Sequence, residues 1–420
     1  MFIHLDLGWM SHPFALSSFR IADPTQIATI RSLGLARVRW SPEKSDPPPA
    51  AAAAPVALAA PSAVEAEPAG STEPAPLMPL RQAASKPDTR RAALAAQRAA
   101  VELCQRQYGE AASGWRQAVD QSRTDPQAAG KQLGALSKAL VDKMLGAREL
   151  SIRVLAEAGS DRASHALNVG VMSLLLGKLC GLAETDMQDL GAGALGHDIG
   201  KLDLPQRVQR QSADFSSAET ALYREHVAHG VAQGQRMGLS PGALLVIAQH
   251  HEHCDGSGFP RALDANRMSV AARLVALVNC YDNLCHPAQA TQALTPHEAL
   301  SRMFARGKER YDATLLTSFV RMMGVYPPGS LVQLTDDRYA LVDSVNSSRP
   351  LKPRVLVHDP RVARDEPLLV DLEAEPALGI RRSLPAAQLP RAAQEVLMPP
   401  PHLAWFFEAR EDDPPAKTGD

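Results

Sequence analysis

Histidine residues are concentrated in the middle third of the chain. Their side chains can bind metal ions and exchange protons near neutral pH. Seven of the 13 histidines fall within 89 residues, in sequence that otherwise predicts mostly buried helix. A buried imidazole without a partner carries a desolvation cost, whereas a divalent metal satisfies several neutral imidazoles at once. The clustering therefore predicts a metal site. The clustered histidines are His165, His197, His226, His229, His250, His251 and His253.

Two pairs of adjacent residues, His197 with Asp198 and His250 with His251, indicate more than one metal. Successive side chains on a helix point about 100° apart, so a carboxylate can bridge two ions while its histidine neighbour binds one. Two metals about 3.5 to 4 Å apart stabilise both the attacking and the leaving oxygen in phosphoryl transfer. Lys201 lies one helical turn after His197, where its ammonium can meet a phosphate. The pattern favours phosphodiester hydrolysis.

Some other histidine residues are predicted to have a structural role and not to bind metal. A second His-Asp pair, His358 with Asp359, ends a strand-like segment that has no further ligand residues, so such a pair alone is not diagnostic. His229 and His253 are predicted to be bystanders, one on a helix surface and one in a loop. His197 differs because Lys201 and the later histidines accompany it.

The composition excludes some classes of function. The 44 basic and 46 acidic side chains nearly cancel, so no global field favours nucleic acid or an anionic membrane, and we predict no DNA partner. Five cysteines without a CxxC pair predict free thiols. No stretch approaches the roughly 18 to 20 uninterrupted apolar residues of a membrane span, so we expect a soluble, cytoplasmic protein.

The hydrophobic periodicity predicts a mainly α fold, in which a helical bundle carries the metal site between a small N-terminal αβ module and a short C-terminal β appendage. Pro and Ala make up 21 of the 33 residues from Pro47 to Pro79, which predicts a disordered linker. A capping box starts a helix at Thr295. The predicted segments are the αβ module at 1–45, the linker at 46–87, the helical domain at 88–325, the β appendage at 326–392 and a polar tail at 393–420.

Residues 150–325 resemble an HD-GYP domain, the branch of the HD phosphohydrolases known for cleaving the bacterial second messenger cyclic di-GMP. The first residues resemble an uncharacterised module that often precedes such domains. The resemblance implies an HD-type helical fold and a metal-dependent phosphodiesterase. Five motifs carry it in the family's order: SHALNVGV at 164–171, HDIGKLDLP at 197–205, HVAHG at 226–230, HHEHCDGSGFP at 250–260 and LVNCYDNLC at 277–285.

The resemblance also implies roles for individual residues. His197, Asp198 and Lys201 would be catalytic, with Asp198 bridging the metals and Lys201 holding the scissile phosphate. Asp161, four residues before His165, is either a ligand of a third metal or an ordinary acid at a helix N-terminus. The loop beside the metals would contain Asp255, Gly256, Gly258, Phe259 and Pro260. The implied metal ligands are His165, His197, Asp198, His226, His250, His251 and, at the family's final ligand position, Asn279.

Three positions depart from the family's pattern. The final ligand is usually an aspartate, whereas Asn279 offers a neutral and weaker amide oxygen, and Asp282 is the second acid of that motif. Phe259 replaces the signature tyrosine and lacks its hydroxyl. His286 and Pro287 stand where many members have Arg-Pro and a basic contact to the dinucleotide.

The leading hypothesis is an enzyme that opens cyclic di-GMP to linear pGpG, with GMP as a further product left open. It would use two divalent metals, with a third as an alternative, and its histidine-rich N/O ligands suit iron or manganese. A second hypothesis is a degenerate module that binds cyclic di-GMP or a diguanylate cyclase (GGDEF) partner without turnover. A third is an HD phosphohydrolase for another nucleotide. Formation of a homodimer is left open.

Overall fold

The computed structural model describes most of the chain. It covers residues 1–45 except 8–10, 13, 15, 16, 22 and 36, and then residues 87–155, 162–360, 362 and 368–410. The predicted linker therefore lies outside the described residues apart from Pro87, and Asp161 also lies outside them. The predicted mainly α fold with small β regions is confirmed.

The N-terminal residues form a small αβ module. Its elements are β1 (Phe2–His4), β2 (Ser18–Arg20), α1 (Pro24–Ser32) and β3 (Arg39–Ser41). The antiparallel sheet has the order β2-β1-β3. Helix α1 begins at Pro24, because the Asp23 carboxylate accepts hydrogen bonds from the backbone N–H groups of Thr25 and Gln26.

One buried lysine joins this module to the helical domain. Lys143 is completely buried, and its Nζ donates to the carbonyl oxygens of His12 and Phe14 at 2.7 and 3.1 Å. Burial lowers the pKa of Lys143 to about 8. Because a buried ammonium needs partners, these two carbonyl groups fix where the module contacts the bundle.

Residues 87–323 form the helical part of the molecule. The predicted capping box of Thr295 and Glu298 is confirmed, and Ser216 with Glu219 forms a second one. Within the described ranges, no helix combines the length and apolarity needed to cross a membrane. The helices are α2 (Pro87–Gln121), α3 (Pro126–Gly146), α4 (Arg162–Leu179), α5 (Glu184–Gly196), α6 (Ser217–Arg224), α7 (His226–Arg236), α8 (Pro241–Gln249), α9 (Val270–Cys285), α10 (Pro296–Arg306) and α11 (Ala313–Met323).

Helix α4 is the central element of the bundle. Every residue from Ala163 to Gly177 is buried except His165, which is partly exposed. A helix that is apolar on all sides must be surrounded by other elements, and α4 contacts α5, α9 and α11. Trp115 ties α2 to this group, because its indole N–H donates to the carbonyl of Leu195 at 2.8 Å. This packing holds the helix ends that carry the histidines.

A seven-stranded antiparallel sheet packs on the bundle. Its strands are β4 (Glu149–Leu155), β5 (Leu331–Leu334), β6 (Tyr339–Asn346), β7 (Arg354–Val357), β8 (Leu368–Asp371), β9 (Ile380–Ser383) and β10 (Ala404–Arg410). The order is β10-β4-β6-β5-β9, and β7 pairs with both β6 and β8. Strand β4 lies between α3 and α4 in the chain, so the sheet belongs to the helical domain.

The polar tail predicted for residues 393–420 is wrong where the structure describes it. Helix α12 (Arg391–Leu397) enters that range, and β10 pairs with β4 along its whole length. Trp405, Phe406 and Phe407 are at most 1% exposed and belong to the main core. Three consecutive buried residues cover both faces of a strand, so β10 lacks the alternation that reveals a half-buried strand. The C-terminal strands thus form one sheet with β4, which lies between α3 and α4 in the chain.

Candidate metal centre

The predicted ligands converge from the ends of several helices. His197 and His250 directly follow the last residues of α5 and α8. His226 begins α7, and only Glu225 separates it from the end of α6. His165 lies in the first turn of α4. His197, His226 and His250 are at most 1% exposed. Asp198 and His251 follow directly on two of these residues, so the adjacent pairs in the sequence point into one site.

Three of the imidazoles are oriented by the C-terminal end of the helix that precedes them in the chain. The Nδ1 atoms of His197, His226 and His250 lie 2.7, 2.5 and 2.8 Å from the carbonyl oxygen three residues earlier. The last carbonyl groups of a helix lack partners within the helix, so a ring at that end can occupy them. Because a carbonyl only accepts, Nδ1 carries the proton and Nε2 presents a lone pair. Metal-binding histidines are held in this way.

The ligand atoms form two groups that share one carboxylate. His165 Nε2 lies 3.1 Å from His197 Nε2, and Asp198 Oδ2 lies 3.4 and 3.5 Å from these nitrogens. His226 Nε2 lies 3.3 Å from His250 Nε2, and Asp198 Oδ1 lies 3.7 Å from both. We call His165, His197 and Asp198 the first subsite, and Asp198, His226, His250 and His251 the second subsite.

These atoms fit divalent metal ions. The Nε2 atoms of His226 and His250 both present lone pairs, so their approach to 3.3 Å is unfavourable without a cation. Asp198 Oδ1 is buried and has no hydrogen-bond partner among the described residues. A buried carboxylate oxygen without a partner costs free energy. A metal ion in each subsite would satisfy all of these atoms together.

Burial keeps most of the imidazoles uncharged. Desolvation lowers the pKa of His197 and of His226 to about 3. It also lowers the pKa of His251 well below its usual value. A metal binds the neutral form of the ring, so these three residues are ready to bind without losing a proton at neutral pH.

His165 is the exception among the imidazoles. Burial disfavours its cation, but the carboxylates of Asp198 and Asp282 outweigh this effect and raise the pKa of His165 to about 9. Its Nδ1 lies 2.6 Å from Asp282 Oδ2, so Nε2 is the nitrogen that faces the first subsite. A metal binding there would displace the Nε2 proton.

Lys201 places a cation beside the bridging carboxylate. It lies in a 3-10 helix, Ile199–Asp203, and its Nζ donates to Asp198 Oδ2 at 2.6 Å. Burial alone would lower the pKa of Lys201, but the Asp198 carboxylate raises it, so the side chain is charged. Conversely, burial would raise the pKa of Asp198, whereas Lys201 and His197 hold it well below its usual value.

The loop after His250 places an aromatic ring against the second subsite. Phe259 stacks on His251, with ring centroids 4.5 Å apart and an angle of 20°. Gly258 permits a close approach of the chain, because a Cβ there would lie 2.4 Å from Glu252 Cα. Glu252 is fully buried, and its carboxylate accepts from the backbone N–H groups of residues 261 and 263 at 2.6 and 2.9 Å. Sequence reasoning missed Glu252, whose only sign is an acid inside the HHEH run.

The remaining residues of this loop form an exposed turn. Asp255 accepts from the backbone N–H of Ser257 at 2.9 Å, and Gly256 has a φ of 74°. Pro260 is exposed. His253 contacts the Ser257 hydroxyl at 3.1 Å, in keeping with a bystander role. The predicted contact of this turn with substrate stays a prediction.

The other predicted bystanders lie outside both subsites. His229 lies 3.8 Å from Glu225 on α7, where its side chain is 41% exposed. The backbone N–H of His358 donates to the carbonyl of Tyr339 at 2.9 Å, just after β7. Neither histidine is among the grouped ligand atoms.

Helix α9 presents Asp282 to the first subsite. The Asp282 carboxylate, rather than the Asn279 amide, contacts the ring of His165. Asn279 is buried, and its amide oxygen accepts from Asn283 at 2.7 Å. His286 Nδ1 lies 3.1 Å from Asp282 Oδ1, so this side chain contacts the interior and does not replace the basic contact to a dinucleotide.

Gly200 is expected to be essential for the second subsite. A Cβ at this position would lie 2.0 Å from the carbonyl oxygen of His226 and 2.3 Å from the backbone nitrogen of Gly230. In Gly200→Ala, α7 must therefore move away from Asp198. We expect the protein to lose the metal of the second subsite, measured as metal bound per chain at equilibrium.

Gly134→Ala is the matched control, because a Cβ at position 134 meets nothing within 4 Å. This variant should bind metal as the wild type does. If Gly200→Ala binds both metals with unchanged affinity, the contact between residue 200 and α7 does not hold the subsite.

The two subsites share Asp198 and lie among the helices of the chain. Residues 149–315 match the HD domain family, and residues 1–133 match a domain of unknown function, DUF3391. The match to the HD domain family covers the residues in which the sequence motifs lie. The DUF3391 match extends beyond the αβ module into α2 and α3.

Curated relatives match less than half of the chain. A cyclic di-GMP phosphodiesterase of Pseudomonas aeruginosa is 30% identical over 198 residues, which are 46% of this chain and 47% of that protein. A 3'3'-cGAMP-specific phosphodiesterase of Vibrio cholerae is 25% identical over 182 residues, 43% of this chain and 34% of that protein. The chain thus spans half or less of the length of these relatives. A solved structure of an HDG"Y"P protein from Bdellovibrio bacteriovorus matches with a TM-score of 0.39 at 19% identity, over 50% of this chain and 68% of that one.

Proposed function

We propose that the chain is a metal-dependent phosphodiesterase that hydrolyses a 3′,5′-phosphodiester bond of cyclic di-GMP and releases linear pGpG. The observation that carries this proposal is the pair of subsites joined by the two carboxylate oxygens of Asp198. Relatives named cyclic di-GMP phosphodiesterases support the choice of substrate. Imidazole and carboxylate ligands suit iron or manganese.

Each residue of the site has an assigned task. The first subsite would hold one divalent metal and the second subsite another, with Asp198 shared between them. When bound, such metals supply the Lewis acidity that activates a water and stabilises charge on phosphate oxygens. Lys201, a buried cation 2.6 Å from Asp198, would donate to a non-bridging oxygen of the scissile phosphate. Phe259 would offer its ring face to a base next to the second subsite.

One observation favours a second candidate function, which is binding of cyclic di-GMP or a GGDEF partner without turnover. The neutral amide oxygen of Asn279 is already engaged by Asn283 at 2.7 Å, so this family ligand position contributes no charge. Fewer anionic ligands hold a divalent metal less tightly. The two candidates therefore differ in whether the site holds both metals tightly enough for hydrolysis to occur.

The two candidates are separated by one assay. Protein prepared without oxygen is loaded with Fe(II) or Mn(II), mixed with cyclic di-GMP or 3'3'-cGAMP, and the products are separated by chromatography. We expect conversion of cyclic di-GMP to pGpG. Calorimetric binding of cyclic di-GMP by metal-loaded protein without turnover would reject the enzyme and support the second candidate. The absence of both would reject cyclic di-GMP as substrate and as ligand, and only the GGDEF partner would be left for the second candidate.

Asn279→Asp sharpens this assay. Restoring a carboxylate at the family's ligand position should raise metal affinity and the rate of hydrolysis. Asn266→Asp is the matched control, because it adds the same charge at an exposed residue in the loop before α9. An equal gain in both variants would show that charge alone, and not ligation at residue 279, causes the effect.

A further inference from the structure

Strand β10 reaches the metal centre through side chains of α4 and α9. The backbone N–H of Leu403 donates to His286 Nε2 at 3.0 Å, and the backbone N–H of Trp405 donates to Asn168 Oδ1 at 2.9 Å. Asn168 Nδ2 donates back to the carbonyl of Leu403 at 3.0 Å. Two polar side chains thus take up the backbone groups at the start of this strand.

The same two side chains converge on Asp282. Asn168 Nδ2 donates to Asp282 Oδ1 at 2.8 Å, and His286 Nδ1 lies 3.1 Å from the same oxygen. Because His286 Nε2 accepts a backbone N–H, its proton is on Nδ1, and the neutral ring donates to the carboxylate. The Asp282 and Asn168 side chains are sealed from solvent, where hydrogen bonds are stronger and an unpaired group is costly.

Asp282, which is held by Asn168 and His286, in turn orients a metal ligand of the first subsite. Its Oδ2 accepts from His165 Nδ1 at 2.6 Å, which directs His165 Nε2 at His197 and Asp198. The rings of His197, His226 and His250 are held instead by carbonyl groups at the C-terminal end of the helix that precedes each of them. His165 lies at the beginning of α4, where the helix has N–H groups and not carbonyl groups to spare. Its orientation must therefore come from elsewhere in the chain.

We propose that β10 braces the first subsite through a relay of Asn168 and His286, then Asp282, then His165. His286 and Asn168 are positioning residues in this relay, because they act on the metal ligand only through Asp282. The inference rests on the proposed metal site but not on which nucleotide is hydrolysed. According to this relay, metal affinity at the first subsite depends on β10, which lies near the C-terminal end of the described chain. Metal affinity at the second subsite does not depend on β10.

Cobalt(II) titration of the metal-free protein tests this relay. Co(II) bound by histidine and carboxylate has a visible absorption, so the two binding events can be followed without any activity assay. In His286→Ala we expect affinity for one of the two ions to fall by about 10- to 100-fold, the usual effect of losing a residue that orients a metal ligand. Affinity for the other ion should stay within about twofold of wild type.

His286→Gln is the rescue variant, because its amide keeps one donor for Asp282 and one acceptor for the Leu403 N–H. It should recover most of the lost affinity, and it also serves where His286→Ala does not fold. Phe407→Leu is the matched control on β10, since it removes buried core volume and does not change the relay residues. It should lower the melting temperature and leave both binding events intact.

Each outcome of the Co(II) titrations supports or rejects the relay. Unchanged Co(II) affinities in folded His286→Ala, or an equal loss in Phe407→Leu, would overturn the relay and leave the proposed function standing. Wild-type protein that binds no Co(II) would overturn the metal site itself, and the relay with it. Selective loss of one ion with recovery in His286→Gln is the result that the geometry predicts.

Discussion

Asp198→Asn is expected to abolish metal binding in both subsites and hydrolysis with it. The two carboxylate oxygens of Asp198 face different histidine pairs, at 3.4 and 3.5 Å on one side and 3.7 Å on the other. An amide has one acceptor oxygen and no charge, so it cannot serve both pairs. Lys201 would also lose its buried counterion.

The loss of metal affinity should exceed the roughly 10- to 100-fold that removal of an outer orienting residue costs. Metal bound per chain and the rate of cyclic di-GMP hydrolysis are the two measurements. Asp203→Asn is the matched control, since Asp203 ends the neighbouring 3-10 helix and pairs with Arg123 at 2.9 Å. Retention of both metals by folded Asp198→Asn would contradict the bridging role.

Lys201→Met is expected to separate metal binding from turnover. Its ammonium is the cation that lies against Asp198, and the 3-10 helix fixes it there. Both metals should still bind, because metal cations beside Asp198 would replace Lys201 in holding the pKa of that carboxylate low. Charge developing on the phosphate would lose a preorganised donor, and kcat should fall by about 100- to 1,000-fold.

The control for Lys201→Met is Lys138→Met, which removes a lysine that pairs with Asp142 on the exposed face of α3. That variant should match wild type in both metal content and kcat. If Lys201→Met turns over within a few-fold of wild type, the lysine has no part in the reaction. If it loses its metals instead, its role is to support Asp198 and not the substrate.

The histidine subsites could be predicted from the sequence because their residues are local signals. Adjacent pairs such as His250 with His251 point into one site once they stand at a helix end. The beginnings of helices were also readable, as at Thr295, because capping depends on residues only a few positions apart. The sequence could not predict which ring nitrogen of each histidine faces the metal, because this depends on the carbonyl group that the other nitrogen contacts.

The part of the site that sequence reasoning missed depends on distant pairing. The partners of β10 lie in β4, where Phe407 pairs with Ile152, and no local pattern announces such a contact. The sequence marked His286 only as a departure from the family's basic residue. Its ring contacts Asp282 and the backbone of Leu403, and that arrangement also depends on distant pairing. Only the folded chain shows that this histidine contacts the interior.

The most direct test of the account is a count of bound metal. Wild-type protein prepared without oxygen, given excess Fe(II) or Mn(II) and freed of unbound ion, should carry two metals per chain by elemental analysis. The same preparation of Asp198→Asn should carry none. Wild-type protein that retains no metal, or an Asp198→Asn variant that retains two, would contradict a centre built around this one carboxylate.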